Sequence, residues 1–109
     1  MLFEPCLKDS VIIASQRAGA REIPEDYTIV NIDRTTWLGN PFTHESDRRV
    51  SIKRHAEWFE QMDPDHRIKK ELRRIIRRIK KGEKIALTCW CSPKPCHGKV
   101  YMDYITDRL

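Results

Sequence analysis

A chain of 109 residues has room for one domain with one modest core. Charged residues make up 34% and hydrophobic ones 39%, polar but still globular, and 21 basic against 16 acidic side chains leave a net charge of +5. No apolar run nears the about 20 residues that span a bilayer. Met1–Leu7, with Glu4 and Pro5, lacks the basic start and long apolar stretch of a secretory signal, so a cytoplasmic protein without membrane contact is expected.

In chain order, residues 1–26 read as an N-terminal extension holding at most one short strand, Val11-Ile12-Ile13-Ala14. Gln16–Glu25 reads as loop, with Gly19 and Pro24 as breakers. Tyr27–Asp33 is rich in β-branched residues and predicts a strand. It runs into Arg34–Phe42, an ordered loop in which Gly39 and Asn40 tolerate positive φ and Pro41 keeps Asn40 out of helix. Ser46 or Asp47 caps a helix running to about Met62, whose apolar members Val50, Ile52, Ala56, Trp58 and Phe59 keep only a loose period. Asp63-Pro64 ends it, with Asp63 as the next cap and Pro64 in the first turn of the next helix.

That next helix carries the clearest pattern in the chain. Ile68, Leu72, Ile75, Ile76 and Ile79 form one apolar stripe, and Gly82 supplies the C-terminal stop. Lys84–Cys91 predicts a strand, Ser92-Pro93-Lys94-Pro95 a loop, and His97–Arg108 a final helix burying Val100, Tyr101, Tyr104 and Ile105. The alternation implies one α/β domain over residues 1–109. It is expected to be a small single-layer sheet with a parallel strand pair joined by a right-handed crossover, helices packed on it. Ligands in such sheets collect at the carboxyl ends of the strands, where Arg34–Phe42 and Cys89–Gly98 both fall.

Three of the four cysteines crowd into Cys89-Trp90-Cys91-Ser92-Pro93-Lys94-Pro95-Cys96-His97-Gly98, a distribution unlike a secreted disulfide scaffold. On a strand Cys89 and Cys91 share a face, and the proline loop can return Cys96 or His97 toward them, giving a ligand set for Zn²⁺. His44, His55 or His66 could complete it, although His55 and His66 lie on charged helices and read as solvated. A second reading makes Cys96 a reactive thiol at the start of the last helix, beside His97, where the helix end stabilises a thiolate or binds an anion and Gly98 admits a close approach. Plain packing of the cysteines is the third, and for Cys6 the leading, reading.

In the other loop, Arg34 offers a fork for phosphate or carboxylate and Asn40 a hydrogen-bonding edge, while Trp37 and Phe42 read as anchors to the core or as stacking groups for a base. The run Arg67–Lys81 holds nine basic residues and a single acid, Glu71. It reads either as a solvated face or as a nucleic-acid surface using Arg73, Arg74, Arg77 and Arg78.

The strand, the Arg, Trp37 with Gly39-Asn40-Pro41-Phe42, and Cys89-Trp90-Cys91 with Pro93, Pro95, Cys96, His97 and Gly98 together resemble the domain-of-unknown-function 4326 family of phage and bacterial proteins. The resemblance covers Val30 to about Ile105 and implies a phage origin and a host cytoplasm. The stretch before Tyr27 and the basic charge of 67–81 depart from the pattern. The expected function is binding or processing of a phosphorylated nucleotide-like ligand by Cys96, His97, Arg34, Asn40 and Gly98. The alternative is a metal-stabilised module that binds nucleic acid, or a host protein, through helix 66–81.

Overall fold

A computed structural model describes residues 7–15, 23–33, 36–42, 47–89 and 97–109. A 3-10 turn, Leu7–Ser10, leads into β1 (Val11–Ser15); β2 (Tyr27–Asn31), α1 (Arg48–Gln61), α2 (Arg67–Lys80), β3 (Lys84–Cys89) and α3 (Gly98–Thr106) follow. The strands form one sheet in the order β1-β3-β2, and both neighbours of β3 run parallel to it. The fold is therefore α/β as expected, with two parallel pairs sharing a central strand where the sequence suggested one. The second pair comes from Val11–Ser15, which was only a candidate strand: Val11 stands opposite Ile85 and Ile13 opposite Leu87.

β3 is the central strand and is buried on both faces. Ile85 to Cys89 are all buried, whereas Thr28 and Ile29 of edge strand β2 are exposed. Ile85, Leu87 and Cys89 alternate onto the face where the α2 stripe and Tyr101 and Ile105 of α3 close the core. The α2 stripe of Ile68, Leu72, Ile75, Ile76 and Ile79 is buried as its period requires.

The helix ends follow local chemistry. Asp47 caps α1, its carboxylate accepting from Arg49 N at 2.9 Å. The α2 cap is not Asp63 but His66, whose Nδ1 accepts from Ile68 N at 3.1 Å. Asp63 is used earlier, in a turn where its carboxylate accepts from Asp65 N at 2.8 Å, so Pro64 lies in that turn rather than in the helix. Gly82, at φ 105°, ends α2 as expected: its N–H reaches Ile79 O at 2.9 Å and Glu83 N reaches Arg78 O at 3.1 Å, the paired bonds of a Schellman stop. Among the described residues no helix is long and apolar enough to cross a membrane.

Candidate functional site

The carboxyl end of the sheet is built from β2 outward. Ile32 N donates to Thr88 O at 2.9 Å, extending the pairing one residue past β2. Asn31 then turns the chain: its side-chain oxygen accepts from Asp33 N at 2.9 Å. Thr36 closes the turn, its backbone N–H donating to Asp33 O and its hydroxyl lying 3.2 Å from Asn31 O and 3.1 Å from Asp33 O. Leu38 plugs into the core at 4% exposure and fixes the loop against the helices.

The carbonyl of Leu38 is where the two loops of interest meet. His97 Nε2 lies 3.1 Å from Leu38 O and 2.8 Å from Ile32 O, and the Tyr101 hydroxyl donates to Leu38 O at 2.9 Å. Carbonyls only accept, so His97 carries its proton on Nε2, and in the neutral ring Nδ1 is the accepting nitrogen. His55 Nε2 lies 3.1 Å from the Tyr101 oxygen. The phenol proton is already committed to Leu38, so His55 is the donor there and its Nδ1 is bare. That atom is buried with no hydrogen-bond partner among the described residues.

The surroundings of this chain of bonds are aromatic. His55 is ringed by Trp58, Phe59, His97 and Tyr101, with the two imidazoles edge to face at 5.1 Å between centroids. Burial, then the proximity of His97, pushes His55 down to about 3, and burial pushes the Tyr101 phenol above its ordinary range. His55 is therefore a neutral core residue, not the solvated side chain its charged helix suggested. The overlooked signal was spacing: His55, Phe59 and Met62 stand at i, i+4 and i+7, and all three are buried.

Of the proposed site residues, His97, Gly98 and Cys89 are buried at this edge, His97 as the N-cap of α3 and Cys89 as the last residue of β3. Nε2 of His97 is given to the two carbonyls and is not open to a metal. Arg34, Cys91 and Cys96 lie outside the described residues, and so do Cys6 and His44. Among the described residues no group of three or more His, Cys, Asp or Glu side chains is placed to hold a metal ion. Asp33, directly after Ile32, is a buried carboxyl residue at this edge.

Asn40 has a structural occupation. Its oxygen accepts from Phe42 N at 2.9 Å, its amide nitrogen donates to Ser51 Oγ at 2.9 Å, and Ser51 Oγ donates to Phe42 O at 2.7 Å. The loop is thereby tied to α1, and Asn40 holds its shape. Phe42 packs edge-on against Trp58, the anchoring role expected of it. Trp37 does not anchor: it is 43% exposed, with the Arg67 guanidinium 5.0 Å from its ring centre.

The four arginines singled out on α2 do not act alike. Arg74 and Arg77 are exposed, Arg73 is half-buried, and Arg78 pairs with Glu83 at 2.7 Å. Lys69, a neighbour in the same run, turns inward to Met62 O at 2.8 Å.

No curated protein and no solved structure matches the chain. A family model does, over residues 13–107, from within β1 to just past α3, so that both loops and the hydrogen-bonded edge between them fall inside it. The chain belongs to the family described as Domain of unknown function (DUF4326).

Proposed function

We propose that this domain binds a phosphorylated, nucleotide-like ligand at the carboxyl edge of its parallel sheet. The observation that carries the reading is the shared Leu38 carbonyl, which locks the loop after β2 to the first turn of α3 through His97 and Tyr101. Parallel sheets gather ligands at this edge because the loops there are held by rigid strands while their backbone groups point outward. The first turn of α3 adds the favourable end of a helix dipole for an anion, and His97 adds an imidazole whose tautomer is fixed by its carbonyl partners. Arg34 and Cys96 are adjacent in sequence to these groups and are the residues for the phosphate fork and the thiol.

Titration of ¹⁵N-labelled protein with 5′-mononucleotides, ribose 5-phosphate and inorganic phosphate tests this. Amide shifts are expected to concentrate on Ile32–Asp33, Trp37–Asn40, Cys89 and His97–Lys99, with nucleotides acting at lower concentration than phosphate. Equal action by phosphate reduces the site to an anion site. No shift there with any compound at millimolar concentration overturns the reading.

A further inference from the structure

Helix α2 shows the core one stripe and water another. Arg67, Lys70, Arg74 and Arg77, with Lys81 at the C-cap, recur at spacings of three and four, and all five are exposed. At about 3.6 residues per turn they fall within an arc of about 80°, opposite the buried isoleucines. The row is about 21 Å long, and its members are about one 5.4 Å turn apart, close to the step between phosphates on an extended strand. Among the described residues Arg74 is the one member with an acid nearby, Glu71 at 3.7 Å, a surface pair of small worth.

The row ends on an aromatic ring. Its first member, Arg67, lies over Trp37, and nearly half of Trp37 is in water. Large aromatics usually bury themselves, and this one instead stands exposed under a cation at the end of a line of cations. Cations that track a backbone, together with an aromatic face for an unpaired base, are the two components of single-strand recognition.

We infer that single-stranded nucleic acid lies along the exposed face of α2, its phosphates on Lys70, Arg74 and Arg77 and one base stacked on Trp37. A duplex keeps its bases stacked on one another and offers no face to Trp37. An acidic protein satisfies the cations and leaves the exposed ring unexplained. The inference does not depend on the sheet-edge reading, although Trp37 directly precedes Leu38 and a strand held here sets a nucleotide beside that edge.

Fluorescence anisotropy of a labelled oligothymidylate of about 12 nucleotides, against a duplex of equal length, tests it at several salt concentrations. The single strand is expected to bind more tightly, with a salt slope of about −0.7 per phosphate contact. The combined change Lys70→Gln, Arg74→Gln and Arg77→Gln should reduce the slope by about 2, while Trp37→Ala should weaken binding by about 5- to 150-fold and leave the slope in place. Arg48→Gln with Lys53→Gln, exposed cations on α1, should change neither. Circular dichroism confirms that each variant folds. No binding at low salt, or equal losses from the α1 and α2 variants, overturns the α2 surface. Preference for duplex with a neutral Trp37→Ala overturns the stacked strand, and binding of an acidic peptide in its place assigns the row to a protein. The sheet edge is scored apart from this, since mononucleotide shifts at His97 and Gly98 should persist in the triple variant.

Discussion

A histidine closed off from water is a liability in acid. The folded state keeps His55 neutral down to about pH 3, whereas the unfolded chain takes up the proton near the ordinary value of 6.5. Between those values the unfolded state binds more protons. The stability contributed by a neutral His55 is therefore complete above about pH 6.5 and is lost as the pH falls toward 3, at about 1.4 kcal/mol per pH unit for one group. Urea unfolding at pH 5 should report a protein about 2 kcal/mol less stable than at pH 7 from this residue alone. His55→Phe keeps a ring in the cage and cannot be protonated, so the difference between the two pH values should shrink by that amount. An undiminished difference in the variant would assign the acid sensitivity to other groups. The same cage explains why Tyr101 belongs to the site: its hydroxyl passes the His55 hydrogen bond on to Leu38 O.

At the level of elements, α2 depends on its stop as much as on its stripe. Gly82 holds φ 105°, and a Cβ there would meet nothing within 4 Å. Gly82→Ala should therefore cost backbone strain without a clash, about 1–2 kcal/mol in urea unfolding, with native contacts unchanged by NMR. A neutral substitution would mean that the turn relaxes to negative φ. This stop was legible in the sequence because glycine after a periodic run has one physical reason to be there. The α2 start was not: Asp63-Pro64 looks like a cap, and the structure spends it on a turn and caps with His66, a residue seldom used so. The partner of β1 was also illegible, because Val11 pairs with Ile85 across more than seventy residues and parallel pairing leaves no local signature. Of the candidate site, the sequence pointed to the loop after β2 and to Cys89 and His97 at one edge. What joins them, the Leu38 carbonyl, was not legible, since a backbone acceptor has no letter of its own.

Across the whole molecule, the sheet hangs on one strand. Among the described residues β1 and β2 are not paired with each other; each is paired with β3. Native-state hydrogen exchange should therefore give the β1 and β2 amides bonded to β3 the same opening free energy, equal to that of global unfolding. A β1 that opens well before β2 would instead make the N-terminal strand a separately melting flap. The order of synthesis adds a clock to this arrangement. β2 is complete at Asn31, and β3 begins only at Lys84. At about 5–20 residues per second the ribosome needs about 3–10 s to cross that interval. During it the β1 and β2 segments have left the ribosome or are leaving it without the strand that both pair with in the fold. Newborn chains thus present Val11–Ala14 and Ile29–Val30 to whatever else is nearby, and crowding or slow codons between Asn31 and Lys84 lengthen that exposure.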